Sequence, residues 1–226
     1  MLNTAEHKNI LLRILKDIYA DPKIGPFLGF KGGTAAYFFY NLDRFSLDLD
    51  FDLLRESSLD NVLLGVEKIV SNYGKIKEKK KKKSSLLLVL SYRDDAPNIK
   101  VEINTKDFNS SYEIKSYLGI SMKVMTKEDM FAHKLVAMHE RSTNRDVFDV
   151  WFFSSNNWPL NEEIIKKRTG KNIDSFIEDC IEKVENIPDS RVLDGMGEVL
   201  DEKQKSWMKK NLKKEVVFNL KLINKK

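Results

Sequence analysis

The sequence predicts an α+β protein, with a mixed sheet and helices over residues 1–125 and a helical C-terminal region over 126–226. Three observations carry this reading. Apolar residues recur at helical spacing in 4–20 and 59–72, the pattern of a helix with one buried face. Between 75 and 106 the chain reads KIKEKKKKK, LLLVLSYR and NIKVEIN, short runs of strand character, the last two joined by turn residues at Asp94–Pro97. From Thr126 the periodicity becomes helical and stays so.

In the first helix the apolar stripe is Ile10, Leu11, Ile14, Leu15 and Ile18, with Thr4 placed to cap it and Asp21-Pro22 to stop it. A short apolar run ending at Phe30 meets Gly32-Gly33-Thr34. A short helix then runs through Tyr40, a turn spans 41–46, and a strand starts at Leu47. The helix over 59–72 is expected to close on Gly74 as a left-handed cap. Lys79–Lys83 is low in complexity and belongs at an exposed strand end or hairpin tip, where a nucleic-acid contact is the weaker second reading. Thr126 and Asp129 have capping-box spacing ahead of MFAHKLVAMHE. RDVFDVWFFSS forms a second helix, and Asn161, Asn172 and Ser206 are placed to open others. There is no internal repeat.

The 226 residues are 42% hydrophobic and 32% charged, an ordinary globular composition. No run approaches the ~20 apolar residues that span a bilayer. The N-terminal stretch carries acids within its apolar part and lacks a small-residue cleavage site, so it does not read as a secretory signal, and a cytoplasmic protein is expected. A single cysteine, Cys180, excludes an intramolecular disulfide and a Cys-rich zinc site. His7, His133 and His139 have no metal-ligand spacing. The net charge of +5 is unevenly placed: Lys203–Lys226 holds nine lysines and one acid, which leaves −3 over residues 1–202. Such a tail either attracts RNA or another polyanion or is a solvated helix face.

The chemistry concentrates in Asp48-Leu49-Asp50-Phe51-Asp52. On a strand, alternate side chains share a face, so Leu47, Leu49, Phe51 and Leu53 turn to the core and the three aspartates line the other side. Aspartate is depleted in strands and like charges on one face repel, so the arrangement suggests a compensating cation. Hard ions such as Mg²⁺ are held by one or two carboxylates together with substrate phosphates. An exposed edge guarded by acids is the plainer reading. In Asn98–Asn104, Glu102 falls on the face opposite Ile99, Val101 and Ile103, as a third carboxylate or an ordinary surface residue. Lys31-Gly32-Gly33-Thr34 opens a helix whose amides can bind an anion, or it is only a turn and cap. It matches neither a Walker motif nor a dinucleotide fingerprint.

Gly-Gly-Thr, a short helix and then Arg44-Phe45-Ser46-Leu47-Asp48-Leu49-Asp50-Phe51 resemble motif I of nucleotidyltransferases related to DNA polymerase β. Lys31–Phe51 is more closely similar to the AbiEii/AbiGii branch, the toxins of type IV toxin–antitoxin systems. His133-Lys134-Leu135-Val136-Ala137, Arg141 and Arg145-Asp146-Val147-Phe148-Asp149 resemble that branch's downstream block. The likeness covers roughly residues 25–155. It implies a polymerase β-like nucleotidyltransferase core, with Asp48 and Asp50 binding metal, Glu102 as third carboxylate, and Gly32, Gly33, Thr34 and Ser46 at the nucleotide. Lys134, with Arg141 beside it on the same helix face, would reach the triphosphate, Asp146 would be the downstream active-site aspartate, and Asp52 would support the pair. Two Mg²⁺ ions or Mn²⁺, an NTP substrate, a tRNA or protein acceptor and a cognate antitoxin follow from the resemblance, with no membrane role. Two other readings stay open at this point: a nucleotidyltransferase acting on a small molecule such as an antibiotic, and a non-catalytic RNA-binding relative. Val147, Phe148, Trp151 and Phe152 form an apolar stripe expected in the core, and Asp146 and Asp149 are alternatively structural partners of Arg145 and Arg141.

Overall fold

Alternation along the central strands sends one set of side chains into a core and leaves the other for chemistry. In a computed structural model that describes residues 3–224, Leu28, Phe30, Leu49, Phe51, Val101 and Ile103 are all buried at alternate positions of three neighbouring strands. Lys225 and Lys226, the end of the basic tail, lie outside the described residues. The chain forms two compact units, one taking the residues up to Asn41, Phe45–Asp107 and Ser111–Met125, the other Leu42–Arg44, Phe108–Ser110 and the chain from Thr126.

The first unit runs α1 (Thr4–Ala20), β1 (Leu28–Lys31), α2 (Gly32–Tyr40), β2 (Leu49–Leu53), α3 (Leu59–Ser71), β3 (Lys75–Lys81), β4 (Ser85–Ser91), β5 (Ile99–Asn104), β6 (Tyr112–Tyr117) and β7 (Ile120–Met125). Its seven strands make one mixed sheet in the order β3-β4-β5-β2-β1-β7-β6. The β2–β5 and β1–β7 pairs are parallel and the other pairs are antiparallel. Of the α1 stripe, Leu11, Ile14, Leu15 and Ile18 are buried as expected and Ile10 is half-buried, and Val62, Val66 and Val70 of α3 are fully buried. Phe51 stacks in a tilted arrangement on Phe30, ring centres 5.4 Å apart.

Several local expectations need correction. Asn3, not Thr4, caps α1, its side chain accepting from Glu6 N at 3.1 Å. Helix α3 ends at Asn72 in right-handed geometry, so Gly74 is no left-handed cap. A Cβ at Gly74 would collide with the Ser91 carbonyl, so glycine there lets the chain pass close to the end of β4. The β6–β7 hairpin turns on Leu118 and Gly119, both with positive φ (49° and 79°), the backbone of a type I′ turn. The sequence hides it, because leucine stands where asparagine or aspartate usually signals such a turn.

The second unit holds α4 (Lys127–Arg141), α5 (Asn144–Ser155), α6 (Glu162–Thr169), α7 (Ile173–Glu185) and α8 (Glu202–Ile223). Asn161 and Asn172 cap α6 and α7 through their side chains, as expected. Asp201, not Ser206, opens α8, in a reciprocal capping box with Gln204. Thr126 occupies the cap position of α4 but makes no side-chain cap bond. Asp129 is instead fully buried and accepts from Asn161 Nδ2 at 2.6 Å. Val147, Phe148 and Phe152 are buried, and Trp151 packs on Trp207 of α8 with ring centres 4.2 Å apart.

Phe51→Ala is expected to lower the unfolding free energy by about 3–5 kcal/mol, read as a shifted midpoint with unchanged slope in a urea titration.

Candidate active site

In the first unit the site is assembled where β1 turns into α2 beside β2. The antiparallel register sets Lys31 opposite Asp50 and Gly29 opposite Asp52. Gly32 follows at φ 78°, a left-handed conformation suited to glycine. A Cβ at Gly32 would collide with a carboxylate oxygen of Asp50. The helix that starts there has no side-chain cap at Lys31, so the first-turn amides of Gly32, Gly33 and Thr34 begin right beside an acid of β2.

Three bonds fix the backbone leading into that strand. His7 is fully buried, and its Nε2 donates to the Leu47 carbonyl at 3.0 Å while Nδ1 accepts from the Tyr92 hydroxyl at 3.0 Å. This tautomer follows because a carbonyl only accepts. Burial holds the His7 pKa below its ordinary value, against the opposing pull of the Leu47 carbonyl and Asp48. The Thr34 hydroxyl donates to the Asp48 carbonyl and lies 2.9 Å from Ser46 Oγ. Lys100 N donates to Asp48 Oδ1 at 3.1 Å. Thr34 is fully buried and Ser46 nearly so. These hydroxyls bond within the protein and position Asp48; Thr34 also presents its amide in the first turn of α2.

The three aspartates have different surroundings. Asp48 and Asp50 are half-buried. Asp52 is buried and accepts from Lys31 Nζ at 2.5 Å, Asn104 Nδ2 at 2.6 Å and the Tyr112 hydroxyl at 2.5 Å. Burial alone would raise its pKa, but the charge of Lys31 and the three donors outweigh it and hold Asp52 below the usual carboxylate range. Asp52 is thus a structural anion supporting the strand, as its place one step beyond the pair suggests.

The parallel β2–β5 register sets Asp50 directly opposite Glu102, which the alternation of Asn98–Asn104 alone leaves open. The Glu102 carboxylate accepts from Ser85 Oγ at 2.8 Å and lies 3.7 Å from Lys82 Nζ. Among the described residues, no group of three or more acidic, His or Cys side chains converges as a ready metal cage. Two carboxylates beside phosphate-binding amides nevertheless fit Mg²⁺, which takes hard oxygen ligands and shares its coordination with substrate phosphates.

The downstream block forms a buried ionic cluster in the second unit. Lys134 Nζ lies 2.9 Å from Asp146 Oδ1 and 3.0 Å from Asp149 Oδ2, with 12% of its side chain exposed. Arg44 grips the fully buried Asp149 through two bonds, Nε to Oδ1 at 2.6 Å and a terminal nitrogen to Oδ2 at 2.7 Å. Arg141, on the same face of α4 as Lys134, reaches Asp146 Oδ1 at 3.1 Å, and Thr143 Oγ1 donates to Asp146 Oδ2 at 2.6 Å. Burial opposes the charge of Lys134, but Asp149 and Asp146 overcome it and hold its pKa above the ordinary value. Burial likewise opposes ionisation of Asp146, and Lys134, Arg141 and Thr143 reverse this to hold its pKa far below the usual range. Both aspartates are ion-paired, but not with the partners read from the sequence: Arg141 meets Asp146, Arg44 and Lys134 hold Asp149, and Arg145 donates to the Gly195 carbonyl. Arg44 was missed, because its partner lies 105 residues away.

A mixed sheet that presents an Asp-x-Asp strand beside a glycine-opened helix is the arrangement of a nucleotidyltransferase. The family model for "Nucleotidyl transferase AbiEii toxin, Type IV TA system" matches residues 13–209. The chain belongs to this family of nucleotidyltransferase toxins, whose systems pair a toxin with an antitoxin. Two solved Helicobacter pylori structures share the fold. One is a nucleotidyltransferase candidate with TM-score 0.63 and 23% identity, covering 98% of this chain and 95% of that one. The other, JHP933, has TM-score 0.61 and 21% identity, covering 100% and 94%. No curated protein matches. No helix among the described residues is long and apolar enough to cross a membrane.

Two outcomes are expected. Gly32→Ala should destabilise by more than about 1 kcal/mol and by more than Gly119→Ala, which has a similar φ of 79° but nothing within 4 Å of the added methyl; denaturant titration of both reads the difference. The depressed pKa of Asp146 makes its contribution whole above about pH 4 and lost as pH falls through its native value. Asp146→Asn should therefore flatten the fall in thermal stability on acidification.

Proposed function

We propose that this nucleotidyltransferase moves a nucleoside monophosphate from an NTP onto an RNA hydroxyl, tRNA being the foremost candidate, in a reaction that depends on a divalent cation and releases pyrophosphate. It acts as a cytoplasmic toxin restrained by a cognate antitoxin. The observation that carries this reading is the contact of Gly32 with Asp50: amides suited to phosphate stand beside a carboxylate suited to a cation.

Asp48 and Asp50 hold the cation, and the amides of Gly32, Gly33 and Thr34 hold phosphate oxygens. When bound, Mg²⁺ or Mn²⁺ neutralises the triphosphate and lowers the pKa of the acceptor hydroxyl. The acceptor oxygen attacks the α-phosphorus, the bond to the bridging oxygen toward the β-phosphorus breaks, and pyrophosphate leaves. Glu102, opposite Asp50, or one of the aspartates takes the hydroxyl proton. Lys134, kept protonated by Asp146 and Asp149, and Arg141, 59% exposed, supply positive charge for the phosphates. RNA is favoured over a protein or small-molecule acceptor by the lysine-rich tail, much of which lies on exposed positions of α8.

With purified protein, RNA and α-labelled NTPs, Asp48→Ala and Asp50→Ala should each reduce label transfer by at least about a hundredfold. Lys134→Met should reduce it while leaving cation dependence in place. Transfer that survives both aspartate changes would remove them from the chemistry.

A further inference from the structure

Residues 75–83, strand β3 and the turn after it, carry seven lysines and one glutamate, and every one of these lysines is exposed. β3 is an edge of the sheet, where lysine ordinarily blocks the addition of another strand. That role does not extend to Lys82 and Lys83. They lie beyond the last β3 residue, in a turn where Lys82 N donates to the Ser85 carbonyl at 2.8 Å and no long ladder needs guarding. Neighbouring residues on a strand are about 3.3 Å apart, well inside a Debye length of about 8 Å. Crowding like charges this closely is unfavourable; Glu67, Glu78 and Glu102 offset part of it, and an anionic partner would offset the rest.

The strand register shows where these lysines lead. Lys80 pairs with Leu87, Leu87 with Glu102, and Glu102 with Asp50. Residues opposite one another in a ladder share a face, so Lys80 lies on the face of Glu102 and Asp50, three strand spacings or about 14 Å from Asp50. Lys80 also pairs with Glu78 on that face. Lys82 is the next residue with the same orientation, and its Nζ reaches to 3.7 Å from Glu102. Lys79 and Lys81 lie on the other side: Lys79 Nζ meets Glu67 of α3 at 2.6 Å, and Lys81 pairs with the buried Leu86. One alternate set of lysines therefore starts a cationic row that ends at the acidic centre, and the other does not.

The geometry points to an acceptor-docking surface on the β3–β4 hairpin, where Lys80 and Lys82 bind the phosphates of a single-stranded RNA segment and lead its reactive end toward Glu102 and Asp50. The destination rests on the transferase reading above; the binding does not. An RNA strand fits better than an anionic membrane, because the lysines are split between the two faces of a single edge strand, a narrow row and not the broad one-sided patch that a flat lipid surface meets.

The test is fluorescence anisotropy of the full chain with a labelled single-stranded RNA across a salt series, without NTP or divalent cation. Lys80→Gln and Lys82→Gln together should weaken binding at least about tenfold and lower the slope of log affinity against log salt by about 1.4, at roughly 0.7 per phosphate contact. Arginine at the same two positions should restore both, which separates lost charge from a folding defect. Lys79→Gln with Lys81→Gln should change affinity by less than about threefold. Equal losses from the two sets, or no loss from the first, would overturn the docking surface. So would unchanged RNA affinity combined with lost sedimentation on phosphatidylserine vesicles, which would assign the lysines to a membrane. A chain that binds RNA in this way yet transfers no nucleotide would sink the transferase reading and leave the docking surface standing.

Discussion

The approach of the Gly32 backbone to the Asp50 carboxylate is the constraint around which the first unit is arranged. It requires β1 and β2 to pair in the register that sets Lys31 across from Asp50, since a slip of one residue would turn Asp50 and Asp52 into the core. It requires a left-handed residue at position 32 with no side chain, and a helix that begins at once, so that amides and acid share one corner. The surrounding polar network serves this placement. His7, Thr34 and Lys100 N hold the chain ahead of β2, while Lys31, Asn104 and Tyr112 satisfy Asp52, the one aspartate of the three taken fully into the interior. Two acids stay toward the open face because the third has been neutralised by protein.

The second unit handles charge differently. Asp149 has no exposed surface and Arg44 almost none, so each depends on the other for compensation. Removing one partner from a buried pair of this kind ordinarily costs about 3–5 kcal/mol. Lys134 bridges Asp149 to Asp146, and Arg141 closes the cluster at its exposed end. A lysine held between two carboxylates stays charged across the neutral range and keeps one orientation.

What the sequence discloses, and what it withholds, follows from the range of the interactions. The α1 stripe, the Asp-x-Asp strand, the Asn98–Asn104 alternation and the Lys134–Arg141 face are local patterns, and each predicts its element. Alternation sets Glu102 on the polar face of its strand, but only the β2–β5 pairing puts it opposite Asp50. The contacts that decide roles are non-local. Asp52 finds Tyr112 60 residues away and Arg44 finds Asp149 105 residues away, and no periodicity encodes either. The motif places Thr34 beside the acidic strand without saying what its hydroxyl meets, which is the Asp48 carbonyl, 14 residues on. The Leu118-Gly119 turn is hidden for the opposite reason: its backbone is ordinary for a hairpin but its leucine is not.

Calorimetric titration of an NTP into the intact protein, with and without Mg²⁺, probes the pairing of Gly32 and Asp50 most directly. Nucleotide should bind only when the cation is present, and Asp50→Asn should abolish that dependence. Equal NTP affinity with and without Mg²⁺ in the natural protein, or a cation dependence that persists in Asp50→Asn, would contradict the placement of cation and phosphate at this corner.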